Sequence, residues 1–151
     1  MIAVHRKKLV MVEIIDIKAL TARVKPIVNR GPHTTENEVE AAFASLGQGD
    51  FKDANIFFGS FDGCAGWEKH PAGEELVQIV NGATEFDIIV DDELKTLQLS
   101  SGNLVIVPKD CWHRFRSKEG VTVLTATPKG EEPHLFVDDP RQPVAPILGR
   151  P

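Results

Sequence analysis

The residues best suited to chemistry fall in two stretches. The first runs Gly63-Cys64-Ala65-Gly66-Trp67-Glu68-Lys69-His70-Pro71-Ala72-Gly73-Glu74-Glu75 and continues through an apolar run to Gly82. The second runs Gly102-Asn103-Leu104-Val105-Ile106-Val107-Pro108-Lys109-Asp110-Cys111-Trp112-His113. Glu68 and His70 stand two apart, which in an extended strand puts both side chains on one face. Glu75 opens the next strand, and His113 ends the second stretch. Two imidazoles and two carboxylates that could converge form a candidate site for a divalent metal ion.

The spacing carries further information. His70 is followed by four residues, Glu75, six more residues and Gly82; Gly102 is followed by five residues, Pro108 and, after four more, His113. These stretches resemble the paired motifs of the cupin superfamily, G-x5-H-x-H-x3/4-E-x6-G and G-x5-P-x-G-x2-H-x3-N. Glu68 stands where that family usually has its first histidine, and Asp62 replaces the first glycine, with Gly63 beside it. In the second motif Asp110 takes the place of Gly and Ser117 that of Asn. The motif pair spans residues 62–117.

The resemblance implies an all-β fold, a cupin-type double-stranded β-helix or jelly-roll barrel with N-terminal helices. It implies Glu75 as a metal ligand beside His70 and His113, with Glu68 completing the set. The ion would be manganese, iron, nickel or zinc. The implied function is a small-molecule enzyme of oxygenase or isomerase type, acting on a polar or acidic metabolite in the barrel pocket. The alternative is a non-enzymatic barrel that binds or senses a small ligand, with or without metal. Small cupins commonly pair, so a homodimer is also expected.

Charge separates two versions of the site. A divalent ion with two neutral histidines and two ionised glutamates is electrically neutral, which favours harder metals such as manganese or iron over copper. Without a metal, two buried carboxylates a few ångströms apart do not both ionise cheaply, so one pKa must rise. Glu68 and Glu75 would then be candidates for a catalytic acid–base pair.

The elements that position these residues follow from periodicity. With 151 residues the chain is most simply one domain. We expect an N-terminal elaboration over 1–53, the barrel over 54–127 and an arm over 128–151. Residues 1–15 read as a leading edge strand or a frayed end. Asp16 caps a helix through Lys25, with Ile17, Leu20 and Val24 on one face; Pro26 ends it. Thr35-Glu36-Asn37-Glu38 is a capping box, and Val39, Ala42, Phe43 and Leu46 extend a helix over 36–46 that packs on the barrel without chemistry of its own. Strands follow at 54–61, 65–70, 75–81, 84–90, 93–99, 103–107, 112–117 and 121–127. Asn81-Gly82 is the strongest short hairpin signal, and Asp91-Asp92 and Ser100-Ser101-Gly102 mark the next turns.

In 84–90 Phe86, Ile88 and Val90 share a face, leaving Glu85 and Asp87 on a wet one. Arg114 and Arg116 must face outward, which turns Cys111, His113 and Phe115 inward. Leu76, Val80 and Leu104 to Val107 leave apolar surface outside, to be covered by N-terminal segments or a second copy. Trp67 alternates with Glu68 and so faces outward, where it is expected as a buried outer-face or interface residue and not as a stacking platform. Cys111 reads as a small buried apolar residue. His5, His33 and His134 lie outside the motifs and read as surface residues. Six of the ten prolines occur from residue 128 onward, so the tail is an extended arm.

Composition excludes several classes. The net charge of −5 and scattered basic residues argue against nucleic acid, with Arg6-Lys7-Lys8 the only cluster. No run reaches the ~18 apolar residues of a membrane span, and the N-terminal apolar run is too short for a secretory signal, which points to the cytoplasm. Two cysteines without CxxC spacing give no disulfide framework. Tyrosine is absent, which excludes tyrosine chemistry. There is no Ser-His-Asp pattern, Walker loop or dinucleotide fingerprint.

Overall fold

Two strands of 16 residues each, Glu75–Val90 (β5) and His113–Pro128 (β8), run antiparallel along most of their length and carry the rest of the chain. The computed structural model describes residues 12–143. Before these two strands come helix Ile17–Arg23 (α1), strand Ile27–Arg30 (β1), helix Glu36–Ala42 (α2), and strands Phe43–Phe51 (β2), Ala54–Cys64 (β3) and Trp67–Glu68 (β4). Glu93–Ser100 (β6) and Leu104–Val107 (β7) lie between β5 and β8, and His134–Leu135 (β9) follows. Most of the expected leading strand, with His5 and the basic triplet, and the last two prolines lie outside the described residues.

The sheet curls because its long strands bend at glycines. Gly82 has φ 77° and Gly120 φ 109°, and the β5–β8 register shifts on either side of Gly82. A β-carbon on Gly82 would sit 2.2 Å from the Gly120 carbonyl oxygen, so only glycine lets the strands cross this closely. The Asn81-Gly82 step is therefore a bulge inside one strand, not the hairpin its residue types suggest: positive φ re-aims the strand instead of reversing it. The expected pairs 75–81 with 84–90 and 112–117 with 121–127 merge into β5 and β8 for the same reason. The reversal between β5 and β6 occurs at Asp91-Asp92, both with positive φ, as expected. N-terminal to the bulge β5 pairs with β7, and C-terminal to it with β6.

Both N-terminal helices begin at the expected caps. Asp16 accepts from the backbone of Lys18 and Ala19, and Thr35 and Glu38 form a reciprocal capping box. The second helix is shorter than its periodicity implies. It stops at Ala42, and Phe43 begins β2, paired antiparallel with β3. Phe43 lies opposite Gly59, where a β-carbon would come within 2.1 Å of the Phe43 ring. The bare backbone of Gly59 gives that ring a seat, and tertiary packing overrides the helical pattern of 43–46.

The barrel interior is filled by Phe61, Val77, Ile79, Phe86, Val107, Phe115, Val121 and Val123. A smaller layer lies outside it, where Leu20 of α1 and Val24 just after it pack on Phe58 with Leu46, Val80 and Leu124. The N-terminal helix thus covers Val80. Leu104 and Ile106 remain about half exposed, at 52% and 48%. The expected wet face is drier than alternation suggests. Asp87 is buried and accepts from Arg114, Arg116 and Thr96, and Arg114 in turn lies 4.5 Å over the Trp67 ring. Opposite charges directly across β5 and β8 let an outward-facing acid be buried.

Candidate metal centre

Glu68 and His113 are direct partners across β4 and β8, so their side chains project side by side into the barrel. Trp67 consequently faces outward, where it is covered: β9 pairs with β4, and the Trp67 indole donates to the Asp138 carbonyl at 3.3 Å. Glu75 opens β5 opposite Val107 and is buried, while Glu74 is exposed. His70 lies two residues past the end of β4, in a loop fastened by the Asp110 backbone N–H to the His70 carbonyl at 3.0 Å. Asp110 has φ 59°, the left-handed conformation for which the family motif carries glycine and which aspartate tolerates. Ser117, in place of asparagine, is buried; it donates to the Ala83 carbonyl and accepts from the Gly120 N–H, tying the bends of β5 and β8 together.

One donor atom each from Glu68, His70, Glu75 and His113 lies within 4.8 Å of all the others, so the cluster could hold a metal ion. The surroundings aim these donors. His113 Nδ1 lies 2.9 Å from the Cys111 carbonyl, which can only accept, so Nδ1 carries a proton. The other nitrogen, Nε2, faces Glu75 Oε2 at 3.1 Å and Glu68 Oε1 at 3.5 Å. Thr127 donates to Glu75 Oε1 at 2.6 Å and leaves Oε2 for the centre. Partners of this kind fix the tautomer and orientation of metal ligands.

Three acceptor atoms facing one another require a cation between them. In the metal-free protein that cation is a proton. Burial alone would depress the His113 imidazolium, but Glu68 and Glu75 outweigh it and hold it up at about 10. Burial likewise favours a neutral Glu68, and His113 outweighs that to bring it down to about 2. His70 is left over. Its Nε2 comes within 3.2 Å of Glu75 Oε2, at an angle that makes no hydrogen bond, and neither of its buried ring nitrogens has a hydrogen-bond partner. A buried imidazole in this condition suits an ion it can ligate.

Sequence reasoning missed two residues of the site. Arg30, from the end of β1, and Glu132, from the arm, line the same cavity as Glu68 and Glu75. Burial and then Glu68 push the Glu132 carboxyl up to about 7. Neither residue has a local spacing signal, because each arrives through docking of a terminal segment. Val39 and Phe43 also line the cavity, so the segment expected to pack without chemistry borders the site. Cys111 contributes its carbonyl, and burial pushes its thiol pKa up, in keeping with an unreactive residue. His33 and His134 lie outside the cluster, and His134 is exposed.

Among solved structures, protein NMB1881 from Neisseria meningitidis aligns with TM-score 0.55 and 18% identity over 78% of this chain and 100% of that one. A mutant of oxalate decarboxylase from Bacillus subtilis aligns with TM-score 0.53 and 14% identity over 62% of this chain and 27% of that one. Likeness at this level speaks for the fold, and the paired motifs lie on the strands where that fold needs them. The fold is a cupin barrel. No family model matches the chain. Two curated proteins, both named acireductone dioxygenase and both from Rhodopseudomonas palustris, are 38% identical to this chain over 50 residues. That stretch is 33% of this chain and 30% of each relative, so the match spans under a third of their length. No helix among the described residues is long and apolar enough to cross a membrane.

Proposed function

We propose that this cupin is a metal-dependent small-molecule enzyme of oxygenase type, with Glu68, His70, Glu75 and His113 holding one divalent ion. The observation that carries the reading is the buried His70 ring, left without a hydrogen bond, beside acceptor atoms of His113, Glu75 and Glu68. With two carboxylates and two neutral imidazoles the ion is charge-neutralised, which supports iron or manganese over copper. Such an ion would bind and polarise oxygen ligands of a substrate. The chain's own part is to fix the donors: the Cys111 carbonyl holds His113, and Thr127 holds Glu75. Four phenylalanines, Phe43, Phe57, Phe61 and Phe115, line the cavity that opens on Glu68 and Glu75. The name of the R. palustris relatives supports oxygen chemistry over isomerisation. The expected homodimer and cytoplasmic location belong to the same reading. Leu104 and Ile106 on β7 offer the face for pairing, and sedimentation giving a monomer at micromolar concentration would remove that part.

The test is oxygen uptake by iron-loaded protein with a panel of small enediols, α-keto acids and aromatic diols. The wild type should consume oxygen with at least one class, and the His113→Ala variant with none. Stoichiometric metal with no turnover of any panel member would contradict the enzyme reading and favour a ligand-binding barrel.

A further inference from the structure

The cavity that opens on Glu68 and Glu75 contains a cation the proposed ion does not explain. It has a volume of about 210 Å³, small beside the ~300–1,000 Å³ of drug-sized pockets. Glu68, Glu75 and Thr127 belong to its polar lining, and Phe43, Phe57, Phe61 and Phe115 to its walls. Arg30 shares it. The guanidinium carbon lies 4.7 Å from the Phe61 ring centre and 5.4 Å from that of Phe43, stacked against the aromatic wall.

This arginine differs from those nearby. Arg114, Arg116 and Arg141 are each paired with carboxylates. Among the described residues the Arg30 guanidinium forms no ion pair and no hydrogen bond. Glu68 and Glu132 act on it only as charges at longer range. Its backbone is nevertheless held in place: Arg30 pairs with Gly63, where a β-carbon would stand 2.3 Å from the Arg30 nitrogen. A fixed, half-buried guanidinium with free donors is built to receive a planar anion in two-point fashion. The ion and its two glutamates cancel, and of the two charged side chains left in the cavity, Arg30 and Glu132, only Arg30 can receive an anionic ligand.

We propose that Arg30 anchors the carboxylate of the substrate, and that the site takes small carboxylic acids with an apolar body of about one aromatic ring. The inference deepens the metal-enzyme reading and rests on it for what happens at the far end of the substrate. Its own readout is anion affinity. In calorimetric titration of the manganese-loaded and the metal-free wild type, benzoate should bind, and the neutral isostere benzamide should bind at least about tenfold more weakly. Arg30→Gln should lose at least about tenfold in benzoate affinity with unchanged manganese content and a cooperative melt. Arg30→Lys keeps the charge without the fork and should fall between the two; it also serves as the test if Arg30→Gln does not fold.

Equal affinity of Arg30→Gln and wild type for benzoate would overturn the inference, as would a wild type that treats benzoate and benzamide alike or binds neither. Metal content of the same samples keeps the two readings apart. Benzoate binding that depends on Arg30 in a protein that takes up no metal would keep the anchor and remove the ion. Stoichiometric metal with indifference to Arg30 would do the reverse.

Discussion

His113 presents Nε2 to two carboxylate oxygens while its Nδ1 proton is committed to the Cys111 carbonyl, so a cation must lie at the centre of the site in every state. The two histidines should therefore respond differently to truncation. In the metal-free protein His113→Ala removes the imidazolium that Glu68 and Glu75 share, which should cost about 3 kcal/mol. For a chain of this length that is a fall in melting temperature of roughly 6–12 °C. His70 makes no hydrogen bond and has one ion-pair contact, to Glu75 at 3.2 Å, so His70→Ala should cost less, about 1 kcal/mol. Differential scanning calorimetry of the two metal-free variants checks the order; a larger loss in His70→Ala would contradict it. At this scale the sequence was most informative. The outward-facing Arg114 and Arg116 turned His113 inward, and alternation put Glu68 inward with Trp67 outward. Asp110 kept the backbone role of the glycine it replaces.

The elements differ from their sequence patterns where long-range packing decides. Gly82 reads as a hairpin because Asn-Gly tolerates positive φ, yet whether that φ reverses or bends a strand depends on Gly120, 38 positions away on β8. Phe43 reads as helical until Gly59 offers its ring a seat. Alternation likewise made Asp87 a solvent-facing residue, because the arginines that bury it sit on β8. That cluster makes a prediction about pH. Burial opposes ionisation of Asp87, but hydrogen bonds from Arg116, Thr96 and Arg114 outweigh it and hold its pKa well below the usual aspartate value. A depressed carboxylate stabilises the fold above its unfolded-state pKa near 4 and loses that contribution as pH falls toward its folded value. Asp87→Asn should therefore be less stable than wild type by about 2 kcal/mol between pH 5 and 8. The gap should narrow progressively below pH 4. Urea denaturation across this range tests it, and a gap that widens on acidification would contradict the assignment.

Across the whole molecule, the terminal segments finish the site. The barrel motifs supply the four donors, whereas Arg30 comes from β1 and Glu132 from the arm that runs on into β9 beside β4. Neither contribution could be read from spacing, since each depends on where a segment docks on strands distant in sequence. The covered Trp67 was expected, and the segment that covers it belongs to the same chain. All of this converges on one claim, that the cluster of Glu68, His70, Glu75 and His113 is a metal centre. Elemental analysis of the purified protein, beside the double variant His70→Ala with His113→Ala, tests it most directly. The account predicts about one equivalent of a transition metal per chain in the wild type, lost in the double variant. A wild type that stays metal-free after incubation with manganese, iron, nickel and zinc would contradict it.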